Sequence, residues 1–285
     1  MRSLLLLVCV FASAASAIET KVLKDLPYKD DVVSQTPYEQ ERCKLDLTVP
    51  VGAKGFATYV WFYGGGLKNG AKDLRSEYCA EIRESLAQAG VAVVTPDYRL
   101  SPKVKYPAYV DDAAAAFAWT VKHIAEHGGD PRKVFIGGHS AGATLALLVG
   151  MDPSRLKPHG LTLGSVAGIA QVSGQVLTHY TIREERHQPR YAITCDDAAP
   201  AFYIRKALPP VLTIYAQHDM LSRAEENQFF VSTLKAAGHA ETYSLRVDDR
   251  DHGTVGHNIR HLDDPARLAI LNFLMRAMAS NTARW

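Results

Sequence analysis

The sequence predicts an α/β fold in which helices cover both faces of a mostly parallel sheet. From about residue 57 to the C-terminus, short apolar runs alternate with segments whose apolar residues recur every three or four positions. Turn residues separate these segments, as in residues 128–131 (GGDP). Alternating β and α units of this kind form a parallel sheet between two layers of helices. The chain of 285 residues suits one such domain, which we assign to residues 18–285.

Apolar runs mark the predicted strands of this sheet. We place them at residues 57–63, 91–95, 133–137, 166–172, 211–216 and 241–247. Residues 18–56 precede the alternating pattern, and we expect early antiparallel strands there, one of them at about residues 43–49. Active sites of such folds form at the carboxyl ends of the strands, so the residues that directly follow each run carry the functional signal.

Five segments have the apolar spacing of helices. The first has an apolar residue every four positions and a glycine that suits a C-terminal cap: Leu74, Tyr78, Ile82, Leu86 and Gly90. The second spans about residues 110–124, and the fourth ends at Gly238. The third, residues 141–149, has almost no charge and is expected to be buried on most sides. The last begins at Pro265, and we expect its inward face to consist of Leu268, Leu271 and Met275.

The N-terminus has the pattern of a secretory signal peptide. Arg2 precedes an apolar run at residues 4–12, and residues 15–17 (ASA) fit a small-residue cleavage site. The run is well short of the ~20 residues that a membrane-spanning helix needs. We therefore predict that residues 1–17 are removed, that the chain has no stable membrane anchor, and that it is secreted or periplasmic.

Charge and cysteine content exclude several classes of function. The net charge is +2 and the pI about 8.3, without a block of lysine or arginine, so we predict no nucleic-acid partner. Cys43, Cys79 and Cys195 remain after the signal peptide. Two of them could form one disulfide, or all three could be small buried apolar residues. No Cys-x-x-Cys pair is present, and we predict neither a metal site nor a cysteine nucleophile.

Residues 138–142 (GHSAG) match G-x-S-x-G between a predicted strand and a predicted helix. This context makes a common five-residue pattern specific. The turn is too sharp for side chains at its flanking positions, so it requires glycine there and exposes the Ser140 hydroxyl at its apex. The backbone N–H of Ala141 faces the same space at the positive end of the helix. We predict that Ser140 is a nucleophile.

A serine hydroxyl needs a base to take its proton, and the base needs an orienting acid. In folds with this turn, the chain order is serine, acid, histidine. Asp219 follows the strand at residues 211–216 and is the predicted acid, with a helix cap as its alternative role. His218 precedes the acid and is interpreted as a neighbour.

The predicted base is His252, which directly follows the last strand. His257 and His261 lie further along the same segment and are its rivals. Three aspartates crowd this turn, namely Asp248, Asp249 and Asp251. We interpret them as a solvated cluster, although one of them could replace Asp219 as the orienting acid.

Three consecutive glycines follow the strand at residues 57–63, in the sequence Tyr63-Gly64-Gly65-Gly66. Glycines leave backbone N–H groups unobstructed, and such groups can stabilise the charge that develops on a carbonyl oxygen when a serine attacks it. We predict an oxyanion hole formed by the N–H groups of Gly65, Gly66 and Ala141. A flexible loop or a phosphate cradle is the alternative, but the Gly-Lys-Ser/Thr sequence of a Walker loop is missing.

Residues 174–209 interrupt the alternating pattern with charged residues and histidines between two strands. This insertion is either a small lid over the site or a surface excursion without a role.

Together these segments resemble the esterase/lipase branch of the α/β-hydrolases, near the hormone-sensitive-lipase-like and the feruloyl- and acetylxylan-esterase-like groups. The resemblance covers about residues 40–280 and rests on YGGG at residue 63, TPDYRLSP at 95, GHSAG at 138, PPVLTIYAQHD at 209 and RDHGTV at 250. The chain departs from the family at Tyr63, where relatives have histidine, and at Leu67, where many have an aromatic residue. These departures concern loop support and the shape of the acyl site.

The resemblance implies an α/β-hydrolase fold and a triad of Ser140, Asp219 and His252 that hydrolyses esters with small acyl groups, without a metal or organic cofactor. The substrate would be a small or polysaccharide-linked ester. Three alternatives use the same fold: a carbohydrate esterase that removes acetyl or feruloyl groups, a formamidase-type amide hydrolase, and a non-catalytic binding protein. The sequence does not predict the acyl length, the alcohol or the oligomeric state.

Overall fold

The computed structural model describes residues 18–29 and 35–282. Within these residues the chain forms one mixed, mostly parallel sheet with helices packed against it, which confirms the predicted α/β fold. The predicted signal peptide, residues 1–17, lies outside the described residues.

Eight strands form the sheet within the described residues. They are β1 (Thr20–Pro27), β2 (Lys44–Pro50), β3 (Phe56–Phe62), β4 (Ala92–Pro96), β5 (Gly129–His139), β6 (Ile169–Val172), β7 (Val211–His218) and β8 (Thr242–Asp251). Their order across the sheet is β1-β2-β4-β3-β5-β6-β7-β8. The six strands from β3 to β8 are parallel to one another.

The α-helices of the described chain lie between and after these strands. They are α1 (Pro37–Arg42), α2 (Cys79–Ala87), α3 (Ala108–His123), α4 (Ala141–Met151), α5 (Pro153–Leu156), α6 (Tyr180–Glu185), α7 (Arg223–Ala236), α8 (Thr254–His257) and α9 (Pro265–Thr282). Short 3-10 turns occur at several junctions, as at Ile124–His127 after α3.

The early antiparallel strands predicted for residues 18–56 are confirmed. β1 pairs antiparallel with β2, and β2 pairs antiparallel with β4. All residues of β3 and β4 are buried because they lie inside the sheet and under helices. The helix α4 is also buried along its whole length, as its lack of charge predicted.

Two predictions about helices are wrong. The helix predicted from Leu74 begins only at Cys79, because Tyr78 adopts the left-handed conformation (φ 51°) and interrupts the helical backbone. In α9, Leu268 and Met275 are exposed and Leu271 is half-buried. The buried face of α9 is instead Ala266, Ile270, Phe273, Leu274 and Ala277. Apolar residues occupy two faces of this helix, and their spacing alone does not say which face meets the sheet.

The topology brings four chain segments to one edge of the sheet. The glycine run follows β3, Ser140 follows β5, Asp219 follows β7 and His252 follows β8. Since these strands are parallel, their carboxyl ends share one edge, and the predicted site residues lie together there.

Candidate active site

Ser140 lies between β5 and α4. Its backbone has φ 55° and ψ −119°, a conformation that residues other than glycine rarely adopt. Its N–H donates to the carbonyl of Val172 at the end of β6, 2.9 Å away. Such conformations cost about 1–3 kcal/mol and persist only where the surroundings impose them, which is typical of functional sites. The surrounding segments therefore impose this conformation on Ser140 at the strand-to-helix turn.

Glycines flank Ser140 because the end of β3 passes too close for any side chain. An ideal Cβ on Gly142 would lie 2.1 Å from the carbonyl oxygen of Phe62 and 2.4 Å from that of Tyr63. A Cβ on Gly138 would lie 2.4 Å from the same Phe62 oxygen. Both obstacles are backbone atoms and cannot rotate away. The glycines therefore allow the nucleophile turn to pack directly against the strand that carries the oxyanion loop.

His252 joins Ser140 to Asp219 by two short hydrogen bonds. Its Nε2 lies 2.8 Å from the Ser140 Oγ, and its Nδ1 lies 2.6 Å from the Asp219 Oδ1. A carboxylate only accepts hydrogen bonds, so Nδ1 carries a proton and Nε2 is free to accept one from the hydroxyl. The structure thus brings the three residues of the predicted triad into contact, in the arrangement required for proton transfer from the serine.

The Asp219 side chain is fully buried and well supplied with donors. The Ser173 hydroxyl donates to its Oδ2 at 2.6 Å, and the Met220 N–H donates to its Oδ1 at 2.8 Å. Burial alone would raise the pKa of Asp219, but the hydrogen bonds from His252 and Ser173 outweigh it and hold the pKa below its ordinary value. The carboxylate therefore stays ionised at neutral pH.

The rival residues do not take the places of His252 and Asp219 in this chain of hydrogen bonds. His218 and His261 are exposed, and His257 lies on α8 with its ring centroid 5.6 Å from that of His139. Asp248 pairs with Arg246 at the surface, and the three aspartates of this turn are exposed. Asp251 accepts hydrogen bonds from the N–H and the hydroxyl of Thr254, so it caps the following turn.

The glycine loop passes directly beside Ser140. An ideal Cβ on Gly64 would lie 3.2 Å from the Ser140 Cβ, which is tight van der Waals contact. Gly65 and Gly66 both have positive φ, 93° and 66°, and the Gly65 carbonyl accepts the N–H of Asn69 at 3.0 Å to close a turn. Ala141 is buried as the first residue of α4. The three predicted oxyanion donors thus belong to backbone segments that meet around the Ser140 side chain.

Tyr63, at the family's histidine position, is directed into the interior and is 1% exposed. Its hydroxyl donates to the Asp97 Oδ1 at 3.0 Å and accepts from Arg42 at 2.6 Å. Asp97 also accepts the Lys72 N–H at 2.8 Å, so one carboxylate holds residues 63 and 72 together. The Tyr98 hydroxyl donates to the carbonyls of Tyr63 and Gly64, 3.0 and 3.1 Å away. This polar network, Arg42–Asp97–Tyr63–Tyr98, fixes the base of the glycine loop.

The insertion at residues 174–209 packs on the other side of the same loop. Thr181, in α6, donates its hydroxyl to the Gly66 carbonyl at 2.6 Å. The Tyr180 hydroxyl lies so close to Gly66 that a Cβ there would be 2.1 Å from it. Lys68 and Glu184 form an ion pair at the surface between the two segments. The insertion therefore contacts the predicted oxyanion loop through side chains of α6.

Sequence reasoning missed Ser173, Tyr98, Asp97 and Thr181 as parts of this site. Asp97 and Tyr98 belong to the segment that carried the family resemblance, but nothing in their spacing showed what they contact. Ser173 and Thr181 lie in stretches without a motif, so no local signal identified them.

The cysteines form no disulfide in the described chain. Cys43 and Cys79 are buried free thiols, and Cys195 is an exposed one. Within residues 18–29 and 35–282 no group of three histidine, cysteine or acidic side chains could hold a metal ion. No helix among these residues has both the length and the apolar character to cross a bilayer.

Comparison with known sequences finds a matching family and curated relatives. Residues 59–255 match the model of a family described as alpha/beta hydrolase fold. Lipase 2 of Moraxella sp. (strain TA144) is 39% identical over 93 residues, which cover 33% of this chain and 21% of that protein. Carboxylesterase NlhH of Mycobacterium tuberculosis is 35% identical over 100 residues, covering 35% of this chain and 30% of NlhH. The matches thus span less than a third of the length of these two relatives.

Comparison with solved structures extends over almost the whole chain. A truncated form of a carbohydrate esterase from gut microbiota aligns with a TM-score of 0.72 at 18% identity and covers 93% of this chain and 98% of that one. An esterase of Thermogutta terrifontis, Est2 with propionate bound, aligns with a TM-score of 0.68 at 23% identity over 92% of this chain and 94% of that one. At these identities the similarity concerns the fold.

Proposed function

The chain belongs to the α/β-hydrolase fold family, and from that premise we propose that it is a serine carboxylic ester hydrolase. Membership confirms the fold and the family resemblance predicted from the sequence. We propose further that it acts through an acyl-enzyme and prefers esters with small acyl groups. The relatives named Lipase 2 and Carboxylesterase NlhH support ester hydrolysis as the reaction class.

One observation carries this proposal. The Ser140 hydroxyl, the His252 imidazole and the Asp219 carboxylate form a continuous chain of hydrogen bonds of 2.8 and 2.6 Å beside the glycine loop. A non-catalytic binding protein on the same fold has no need of this chain or of the strained backbone at Ser140.

In acylation, the Ser140 Oγ attacks the ester carbonyl while the His252 Nε2 takes its proton. Asp219 stabilises the imidazolium that forms, because its carboxylate accepts from Nδ1 at 2.6 Å. The N–H groups of Gly65, Gly66 and Ala141 bind the oxyanion of the tetrahedral intermediate, each worth about 3 kcal/mol. The bond to the alcohol then breaks, and His252 gives its proton to the leaving oxygen.

In deacylation, water takes the place of the alcohol. The His252 Nε2 removes a proton from the water as its oxygen attacks the acyl carbonyl, and the same N–H groups bind the second oxyanion. The bond to the Ser140 Oγ breaks, the proton returns to the serine, and the acid leaves.

Crowding around Gly66 supports the preference for small acyl groups. The Tyr180 hydroxyl lies against this glycine, and the neighbouring Leu67 side chain is fully buried. Thr181 holds the Gly66 carbonyl at 2.6 Å, so the contact between α6 and the loop is tight. A long acyl chain on this side of Ser140 would have to displace α6.

A panel of p-nitrophenyl esters from acetate to dodecanoate tests the proposal. We expect the highest kcat/KM on the shortest esters and a loss of about 10⁴-fold or more in Ser140→Ala. Ser232→Ala is the matched control, since its hydroxyl only donates to the Gln228 carbonyl on the exposed side of α7. Equal activity in wild type and Ser140→Ala would refute the assignment of the nucleophile.

Three further substrates extend the panel to the alternatives. Acetylated xylan and methyl ferulate test carbohydrate esterase activity. An anilide with the same acyl group as the best ester tests amide hydrolysis. A kcat/KM higher on the anilide than on the ester would replace the esterase proposal by an amidase. The structural neighbour named as a carbohydrate esterase makes acetylated xylan the first of these to measure.

We also propose that the chain is exported after removal of residues 1–17, on the basis of the N-terminal pattern. N-terminal sequencing of the protein recovered from a secreting host tests this. Ile18 as the first residue is the expected result, and an intact Met1 would contradict it.

A further inference from the structure

The His139 side chain lies where three segments of the site meet. Its Nε2 is 2.6 Å from the backbone carbonyl oxygen of His252, the proposed base. His139 precedes Ser140 on the nucleophile turn and is 6% exposed. One buried ring thus connects the segment that carries the nucleophile to the segment that carries the base.

The surroundings of this ring leave it little freedom. An ideal Cβ on Gly256, in α8, would lie 2.5 Å from the His139 Cδ2, and one on Gly64 would lie 3.4 Å from its Nδ1. The ring centroid of His139 is 4.9 Å from that of His252 and 5.6 Å from that of His257. The ring is therefore packed between the glycine loop, α8 and the base.

The protonation state of His139 is determined by its partner. A backbone carbonyl only accepts, so the Nε2 carries the hydrogen and donates it. Burial, reinforced by the neighbouring His252 and His257, lowers the pKa of His139 to about 3. The ring is consequently a neutral donor throughout the pH range in which the triad can work.

We propose that His139 is a positioning residue for the base: its Nε2–H holds the His252 backbone carbonyl and so keeps the imidazole in line between Ser140 and Asp219. The proposal rests on the proposed function of the same site. His252 lies in the short connection between β8 and α8, and its carbonyl accepts the hydrogen of the His139 Nε2. Hydrogen bonds to Asp219 and Ser140 fix the two ring nitrogens of His252. The hydrogen bond from His139 fixes the main-chain carbonyl of the same residue.

The test compares His139→Met, which removes the donor, with His139→Gln, whose amide nitrogen can occupy the place of Nε2. His257→Gln is the matched control, because it removes an imidazole from the same cluster without touching the His252 carbonyl. With the best p-nitrophenyl ester we expect kcat to fall about 10- to 100-fold in His139→Met. KM should stay within about threefold, since the substrate contacts are unchanged. His139→Gln and His257→Gln should keep kcat within about fivefold of wild type.

A proton NMR spectrum supplies a readout that does not depend on turnover. The His252 Nδ1 proton, shared with Asp219 at 2.6 Å, should give a far-downfield resonance in wild type, His139→Gln and His257→Gln. We expect this resonance to be broadened or lost in His139→Met, although the variant keeps its near-ultraviolet circular dichroism. If His139→Met does not fold, His139→Asn replaces it, since its amide is too short to reach the carbonyl.

Two results would overturn the proposal. The first is a donor-free variant with wild-type kcat and an unchanged downfield resonance. The second is an equal loss of both in His139→Gln and His139→Met, which would show that packing, and not the hydrogen bond, is what the ring supplies. If wild type hydrolyses none of the esters, the proposed function fails, while the resonance still decides whether His139 positions His252.

Discussion

The nucleophile turn and the glycine loop lie side by side but are held by different forces. The turn around Ser140, where φ is 55°, is held by close packing of its glycines against the β3 backbone. The loop from Gly64 to Gly70 is held by polar side chains from distant parts of the chain. Arg42, Asp97 and Tyr98 hold its base, and Thr181 binds its tip.

This difference determines how much the sequence could predict. The nucleophile turn depends on five consecutive residues, so GHSAG between a strand and a helix was enough to place Ser140 correctly in the fold. The order of strands then indicated Asp219 and His252, because each directly follows a strand whose end lies at the same edge of the sheet. Local sequence carries this information.

The support of the glycine loop could not be predicted in the same way. The Asp97 carboxylate and Thr181 hydroxyl lie 25 residues or more from their partners in the chain, and a hydrogen bond at that separation leaves no periodic pattern. The prediction of the buried face of α9 was wrong for a related reason. Leu268 and Met275 have helical spacing, but Ile270 and Leu274 have it too, and only the position of the helix on the sheet selects the buried set.

Among variants that test this comparison, the largest effect is expected for Gly142→Ala, which tests the steric half. The new methyl group would overlap the carbonyls of Phe62 and Tyr63, which are backbone and cannot give way. We expect a loss of about 3 kcal/mol in the free energy of unfolding and about 100-fold in kcat. Chemical denaturation and ester kinetics measure the two. Gly164→Ala is the control, because its Cβ would meet only the Thr162 hydroxyl at 3.3 Å; equal effects of both variants would contradict the steric account.

Asp97→Ala tests the polar half. It leaves the Tyr63 hydroxyl, the Lys72 N–H and the Arg42 guanidinium without a shared acceptor. We expect a loss of about 2–3 kcal/mol in the free energy of unfolding and about tenfold in kcat, as the base of the glycine loop loosens. Asp73→Ala is the control, since this carboxylate is mostly exposed and its buried partner Lys72 keeps the ion pairs with Asp25 and Asp46. A stable variant with unchanged kcat would show that the loop does not need Asp97.

The two regions should also respond oppositely to acid. The folded pKa of His139 is about 3 against an ordinary value of 6.5, so the unfolded chain binds the proton first and stability falls as pH drops from 6.5 towards 3. Burial raises the pKa of Asp97, so its contribution favours the folded state as pH falls through that raised value. Denaturation at pH 4–7 measures the slope of the free energy of unfolding against pH. The slope for wild type should exceed that for His139→Gln by up to about 1.4 kcal/mol per pH unit. In Asp97→Ala the slope should become steeper, and a change in the same direction in both variants would contradict the opposite roles of His139 and Asp97.

The smallest effect is expected for Thr181→Val, which removes the hydroxyl that holds the Gly66 carbonyl and leaves the shape of the side chain. We expect the free energy of unfolding to fall by about 1 kcal/mol at most. We expect kcat to fall about fivefold with little change in KM. Thr233→Val is the control, because its hydroxyl donates only to the Phe229 carbonyl on the surface of α7. If kcat were unchanged in Thr181→Val, α6 would be shown to cover the loop without positioning it.

Covalent labelling with diethyl p-nitrophenyl phosphate tests most directly whether Ser140 is the activated nucleophile of this site. One equivalent of p-nitrophenolate should be released per chain, and mass spectrometry should place a single diethylphosphoryl group on Ser140. The same reagent should label His252→Ala at a rate about 10³-fold lower than wild type, because the base is gone. Labelling at another residue, or full ester hydrolysis after the reagent has reacted with Ser140, would contradict the account.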